Sequence, residues 1–492
     1  MSANHSYYYL SNTIYTMYHY TIWLEVHIKL STTHKLFCSC ENTQEFDATS
    51  PNSHICPTCT AQPGSLPIIN NDCIDTAIRL WTIFSSTLQK NFSWDRKSYF
   101  YADSPLWFQI TQFHTPIIKD WKVNFWRDNF QTEDSIGIHE AHLENDTAKT
   151  ITIDNDTFID FNRSGSPLIE IVTKPEFTND DQVIEFLKEL QRVVKWNNIG
   201  YADLEKGQMR VDVNISIKDT NSEQLGRRVE VKNINSYAAI RKAIQYEFSR
   251  QKEIVEWWWV VDQETRRRDD SSQTTQSMRS KEQAMDYRYF PECNLPLIDP
   301  AERERNPSFE VRTWYQRIQR LKWYWFHKEF IYGLINSELL RDWFERWLKQ
   351  WHEPKSVAKR LMGQLSNTIN TSWEQSLPLT GDQFVEFLDH IKEWWYSDSI
   401  SKQIMEEILS LESRQKSIKE IVDRHSWSTI DEETIREYVK QILQEQTSTV
   451  VLYKWWKTTT LWFFVWQLMK KTGWTVDPNQ AKTLFEEELG KL

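Results

Sequence analysis

The pattern of apolar and polar positions divides the chain in two. Up to about residue 297, short runs alternate with a period of two: TIWLEVHIKL, TAKTITID, MRVDVNISIKD and RRVEVKNINS. That period belongs to strands with one buried face. Between them, DDQVIEFLKELQRVVKWNN carries its apolar residues at helical spacing. The pattern predicts a mixed domain, α+β or α/β. The stretch PECNLPLIDPAERERNPS marks its end. Beyond it strand patterns nearly vanish, and charged amphipathic helices run on, with a softer boundary at SWEQSLPLTGDQF.

One of these helices, near the C-terminus, is the clearest. Leu461, Phe464, Val465, Leu468 and Met469 share one face, Lys470 and Lys471 close the last turn, and Gly473 is a stop signal. Trp455, Trp462 and Trp466 fall on a different face. A second bulky stripe on a polar chain needs a reason, and composition supplies one. Gly numbers 11 and Trp 25 in 492 residues. Together they reach about 7 per cent, the share that glycine alone has in an average protein. UGA is read as glycine in some bacterial lineages and as tryptophan in the commonest alternative code. Many of these Trp positions are therefore expected to be glycine.

The rest of the composition is that of a globular protein, 40% hydrophobic and 26% charged, long enough for about two to four domains. No run approaches the roughly 18 apolar residues of a membrane helix. The N-terminus lacks the basic and apolar regions of a signal peptide, so a cytoplasmic location is expected. A net charge of −11 argues against non-specific coating of nucleic acid, though not against a local basic patch that docks one RNA.

Cys38-x-Cys40 and Cys56-x-x-Cys59 offer four thiolates in two close pairs, suited to a structural tetrahedral Zn²⁺. Cys73 and Cys293 are isolated. Glu25 and His27 alternate on one strand face, as do His142, Glu144 and Asp146 in HLENDTAK, and Asp212 and Asn214 in VDVNIS. Oxygen ligands of this kind suit Mg²⁺ and phosphoryl transfer from ATP. DRKSYFY concentrates Asp95, Arg96, Lys97, Tyr99 and Tyr101, and FNRSGSPLIE adds Asn162, Arg163 and Glu170, the side-chain types of a phosphate clamp. No Walker-type loop, kinase glycine loop, GxSxG or HExxH is present.

In one order along the chain, WLEVHIKL, KLFCSC…CPTC…PGSLP, DRKSYFYADSP, HLENDTAK, DFNRSGSPLIEIV, MRVDVNIS, RRVEVKNINS and DYRYFPE resemble the B-subunit family of the tRNA-dependent glutamyl/aspartyl-tRNA amidotransferases. The resemblance runs from about residue 18 to the end. It implies an α+β cradle related to glutamine synthetase over 18–297, an all-α domain over 298–372 and a small all-α, tRNA-binding tail like YqeY over 373–492, with 1–17 an unmatched extension. It also implies ATP, Mg²⁺ and a structural Zn²⁺ as cofactors. The partners would be a glutaminase A subunit and a C subunit in a heterotrimer, acting on misacylated Glu-tRNA(Gln) or Asp-tRNA(Asn). Carried over residue by residue, Glu25, His27, Glu144 and Asp212 would hold Mg²⁺. Arg96, Lys97, Tyr99, Asn162, Arg163, Glu170, Asn214 and Lys232 would line the ATP and aminoacyl pocket, and the four cysteines match the zinc clip.

This chain departs from the family's HLEEDAGK in having Asn145 where a second carboxylate stands. The family has glycine at positions equivalent to Trp23, Trp81, Trp107, Trp121, Trp351, Trp462, Trp466 and Trp474, and a glycine-rich turn at Trp257, Trp258 and Trp259. Trp94, Trp196 and Trp427 align better with other large residues. Two other readings stay in view: a tRNA-binding accessory protein without catalysis, and a glutamine synthetase-type ligase acting on free amino acids.

Overall fold

The computed structural model of the protein describes residues 18–302 except 44–49, 220–223, 270–271 and 281–285. Further on it describes 313–323 and chiefly 386–390, 398–409, 417–426, 431–454, 460–472 and 478–491. Cα packing divides the chain into two units, Met1–Gln319 and Arg320–Leu492.

In chain order the first unit is β1 (Tyr18–Lys29), α1 (Asn71–Ile83), β2 (Asp95–Ser98), β3 (Phe108–Thr111), β4 (Ile118–Arg127), β5 (Thr132–Asn145), β6 (Lys149–Ile153) and β7 (Asp156–Asp160). It continues with β8 (Pro167–Thr173), α2 (Asp180–Trp196), β9 (Met209–Asp219), β10 (Val229–Ile234), α3 (Tyr237–Glu256), β11 (Glu264–Asp269), β12 (Thr274–Ser280), β13 (Phe290–Pro291) and α4 (Trp314–Trp323). Eight strands form one sheet in the order β12-β11-β10-β9-β1-β8-β5-β4. All its pairings are antiparallel except β10 with β11. The fold is α+β, and the sheet dominates it.

Alternation gives the sheet two chemically different faces. On β1, Ile22, Leu24, Val26 and Ile28 are wholly buried, as are Val213 and Ile215 of β9 and Ile169 and Ile171 of β8. Helices α2 and α3 pack against the sheet at β4 and β9. Each starts with a side-chain cap: Asn179 accepts from the Gln182 amide, and Ser236 from the Ala239 amide. The residues between the apolar ones on β1, β8 and β9, Glu25, His27, Glu170 and Asp212, point away from that core.

In the second unit the described residues are helical: α5 (Asp398–Leu409), α6 (Ile418–Ser426), α7 (Glu432–Glu445), α8 (Thr447–Lys454), α9 (Leu461–Lys471) and α10 (Pro478–Lys491). The α9 face read from the sequence, Leu461, Phe464, Val465, Leu468 and Met469, is buried in a core with Ile435, Val439, Leu484 and Phe485. Among the described residues no helix is long and apolar enough to cross a membrane. The boundary expected near 373 lies outside the described residues.

The tryptophans separate into kinds. Trp107 and Trp258 both have φ of +62°, left-handed backbone that favours glycine and costs an L side chain. Trp258 comes directly after Trp257, the C-cap of α3, where a helix stop with positive φ is usually glycine, and it is 94% exposed. Trp462 and Trp466 stand exposed on α9. Trp81 is instead fully buried against Phe84. Its indole N–H has no hydrogen-bond partner, and neither has that of Trp121 or Trp94, so burial does not sort the positions as backbone conformation does. Trp351, Trp427, Trp455 and Trp474 lie outside the described residues.

Candidate active site

The polar face of the sheet floors a cavity of about 450 Å³. Its lining includes Glu25, His27, Lys97, His142, Glu170, Asp212, Glu230 and Lys232. Strand register brings these together. On β1, Glu25 lies opposite Asp212 of β9, and His27 opposite Glu170 of β8, which in turn lies opposite His142 of β5.

Two groups could each hold a cation. His27, Glu144 and Glu170 place one ligand atom each within 4.8 Å of the others, and so do Glu25, Asp212 and Glu230. In the first, His27 Nε2 is 3.6 Å from Glu144 Oε1 and 3.5 Å from Glu170 Oε2, and His142 Nε2 is 3.0 Å from Glu170 Oε2. Burial opposes the charge of Glu170, but His27 and His142 outweigh it and hold this carboxyl well below the usual range. Burial, then the nearby Glu170 charge, pushes Glu144 up. Burial also works against a charged His27, yet the Glu170 and Glu144 carboxylates carry it to about 9. Glu144 Oε2 is buried without a hydrogen-bond partner. An orphaned carboxylate oxygen beside an imidazole and a second carboxylate fits a divalent ion such as Mg²⁺.

The second group has its own cation. Lys232 Nζ reaches Asp212 Oδ2 at 2.5 Å and Glu230 Oε1 at 2.9 Å. Asn214 donates to Glu25 Oε1 at 3.1 Å. Burial and the charges of Glu170, Glu230 and Asp212 raise the Glu25 carboxyl, with Lys232 opposing them. Lys97 sits 4.8 Å from the Tyr287 ring, and the charges of Glu144 and Glu170 outweigh its burial to raise its ammonium above the ordinary lysine value.

Glu170, read as a pocket residue, lines the cavity and also belongs to the first cation group. Other predicted residues stand elsewhere. Asn162 is fully buried away from the cavity: it accepts from the His54 amide and donates to the Ser50 carbonyl, holding the loop that carries Cys56 and Cys59. Arg163 donates to the Thr147 and Ala148 carbonyls and lies 3.6 Å from Asp146. Arg96 makes a two-pronged pair with Glu292, and Tyr99 packs on Tyr101. None of these four is among the cavity-lining residues. Asn145, the departure in HLENDTAK, accepts from the Ile110 amide through its side chain and from the Gln109 side chain through its carbonyl. Glu230 went unassigned in the sequence, though RRVEVKNINS already placed it two positions from Lys232, on the same face; His142 was placed on the face of Glu144 but given no role.

The four cysteines meet. Cys38, Cys40, Cys56 and Cys59 have sulfurs within 4.8 Å of one another, Cys40 and Cys59 at 4.0 Å, and none forms a disulfide. Four sulfurs about 2.3 Å from one Zn²⁺ stand about 3.8 Å apart, so the spacing fits that ion. The Cys59 thiol is pulled down to about 5, chiefly by the hydrogen bond from Cys38 and further by the Cys56 amide and Lys35.

A central sheet with one apolar, helix-covered face and one face lined by carboxylates, imidazoles and ammonium groups defines an α+β protein built around a charged cavity. The GatB/GatE catalytic domain model matches residues 20–304, and a second model, the GatB domain, matches 342–489. Proteins named as the B subunit of aspartyl/glutamyl-tRNA(Asn/Gln) amidotransferase are similar over most of the chain. That of Thermoanaerobacter pseudethanolicus is 33% identical over 480 residues, 96% of this chain and 100% of its own. That of Clostridium kluyveri is 34% identical over 482 residues, 96% and 98% respectively, and that of Picosynechococcus sp. 33% over 496 residues, 96% and 98%. The chain belongs to the GatB/GatE family and is the B-type subunit of an amidotransferase, a ligase.

Proposed function

We propose that the chain converts misacylated Glu-tRNA(Gln), Asp-tRNA(Asn) or both to the correctly amidated tRNA in the cytoplasm, within a heterotrimer with a glutaminase A subunit and a C subunit. In this reading residues 18–297 form a glutamine synthetase-like cradle, 298–372 a helical domain and 373–492 a tRNA-binding, YqeY-like tail. ATP phosphorylates the side-chain carboxylate, which is a poor acyl donor until it carries phosphate as a leaving group. Ammonia released by the A subunit then displaces that phosphate. His27, Glu144 and Glu170 would hold Mg²⁺, which would supply positive charge to offset the negative charge that develops during phosphoryl transfer.

The protein's own groups have separate tasks. Lys97, a fixed ammonium among these carboxylates, attracts the transferring phosphoryl group. His142 donates its Nε2 proton to Glu170 and so orients that carboxylate. Lys232 aligns Asp212 and Glu230 and keeps Glu230 ionised, while Asn214 holds Glu25 in place. The cysteine cluster is read as a structural zinc clip, with four sulfurs and no open position for chemistry.

The observation that carries this reading is the pair of carboxylate groups with Lys97 on one cavity floor, in a chain whose relatives are named for this reaction. The test is ATP-dependent amidation of mischarged tRNA, with the A and C subunits added. ATP turnover that requires charged tRNA and yields amidated tRNA supports it. Turnover with free glutamate and no tRNA points to a free-amino-acid ligase, and tRNA binding without turnover points to an accessory protein.

A further inference from the structure

Lys35 is a fully buried ammonium beside the cysteine cluster. Its backbone amide donates to the Cys40 carbonyl at 3.0 Å, which fixes the residue at the base of the first cysteine pair. Its Nζ donates to the His54 carbonyl at 2.9 Å and to the Phe161 carbonyl at 3.3 Å, and lies 3.7 Å from Cys59 Sγ. Gly165, at φ +86°, closes over it: a Cβ there would stand 3.6 Å from both the Lys35 and the Cys59 side chains. Among the described residues no carboxylate pairs with Lys35. Two neutral carbonyls do not balance a buried cation, whose removal from water costs several kcal/mol unless a negative charge stands close.

The nearby group able to carry that charge is the sulfur cluster. Four thiolates around one Zn²⁺ leave two excess negative charges. We propose that Lys35 is the internal counter-ion of this zinc tetrathiolate, a positioning residue that hydrogen-bonds Cys59 Sγ and stabilises the metal-loaded clip. The proposal rests on the zinc reading above and adds a coupling. Zinc fixes four thiolates against this ammonium, so loading the clip brings the full compensating charge to it. Zinc and Lys35 therefore stabilise each other, and through the Phe161 carbonyl Lys35 ties the clip to the loop from Phe161 to Gly165.

The experiment measures zinc affinity of the full chain by competition with a chromogenic chelator, alongside thermal midpoints with and without zinc. Lys35→Met is expected to weaken zinc binding about 10- to 100-fold, the usual loss when a partner of a metal ligand is removed. Its zinc-free midpoint should fall by less than its zinc-loaded midpoint, because most of the charge that Lys35 compensates arrives with the metal. Lys35→Gln keeps N–H donors for the two carbonyls without the charge, so it should also bind zinc weakly, and it decides alone if Lys35→Met does not fold. Parental affinity in both variants overturns the counter-ion. So does an equal fall of the zinc-free and zinc-loaded midpoints with affinity unchanged, which marks a merely structural lysine. A parent chain that takes up no zinc overturns the clip itself.

Discussion

The same domain carries two kinds of candidate metal site, built in opposite ways. The cysteine cluster draws its ligands from two short segments, Cys38 to Cys40 and Cys56 to Cys59, and surrounds its centre with four soft donors. The group His27, Glu144 and Glu170 draws hard donors from three strands, β1, β5 and β8, far apart in the chain. One is closed by local loop geometry, and the other is open on a cavity and held by sheet register. The difference teaches where each function resides. A closed sulfur cage holds chain segments together, while an open carboxylate floor leaves room for a substrate to complete the coordination.

The largest expected effect falls on the open site. Glu144→Ala should lower the rate of ATP-dependent amidation by about 10²- to 10³-fold or more, with tRNA binding and the thermal midpoint nearly unchanged. Full activity in that variant would remove Glu144 from the metal site. The closed site should behave in reverse. Cys56→Ser is expected to lose zinc and to lower the thermal midpoint by about 5–15 °C, while the rate per folded molecule stays close to that of the parent. A variant stable without zinc, or one that loses chemistry in proportion to zinc, would erase the contrast.

Lys232→Met sharpens the distinction within the cavity. With its ammonium gone, the Glu25, Asp212 and Glu230 group should bind Mn²⁺ about tenfold more tightly in a titration followed by electron paramagnetic resonance. Unchanged affinity would mean that Lys232 does not compete for those carboxylates. Asn162→Ala tests a residue that its motif assigned to the pocket and the fold assigns to the cysteine loop. It should cost about 1–3 kcal/mol of stability in a denaturant titration, for a buried amide and carbonyl left unpaired, and should leave the rate alone. The smallest effect concerns the backbone. Trp258→Gly should raise stability by about 1 kcal/mol by relieving left-handed strain. Peptide mass spectrometry of the native protein is expected to find glycine at 107 and 258, and tryptophan at either position would overturn the decoding argument there.

Much of this was legible in the chain. Period-two alternation announced β1, β9 and β10, helical spacing announced α2 and the buried face of α9, and paired cysteines announced their cluster. Glu25, His27 and Asp212 were legible as cavity-facing groups and Glu144 as a buried neighbour on the same face, because alternation determines which side of a strand a residue faces. What alternation does not determine is the neighbour. Glu170 looked like part of a basic clamp until strand pairing set it between two histidines. Arg96, Arg163 and Asn162 had the composition of a phosphate site but spend their donors on Glu292, on the Thr147 and Ala148 carbonyls and on the cysteine loop. Glu230 escaped notice because its partners Glu25 and Asp212 lie on other strands, β1 and β9.

By itself, then, the sequence determined the elements, the face each side chain occupies, the cysteine cluster and the family, since all of these depend on spacing within short segments or on motifs in order. It also signalled the glycine deficit, which is a property of composition. Only the tertiary structure decided which carboxylates share a cation, which lysine already neutralises a group of them, and which cation lies buried beside the cysteines. Those outcomes depend on charges a few ångströms apart in space but many residues apart in the chain, and on desolvation, which strand pairing and burial impose together.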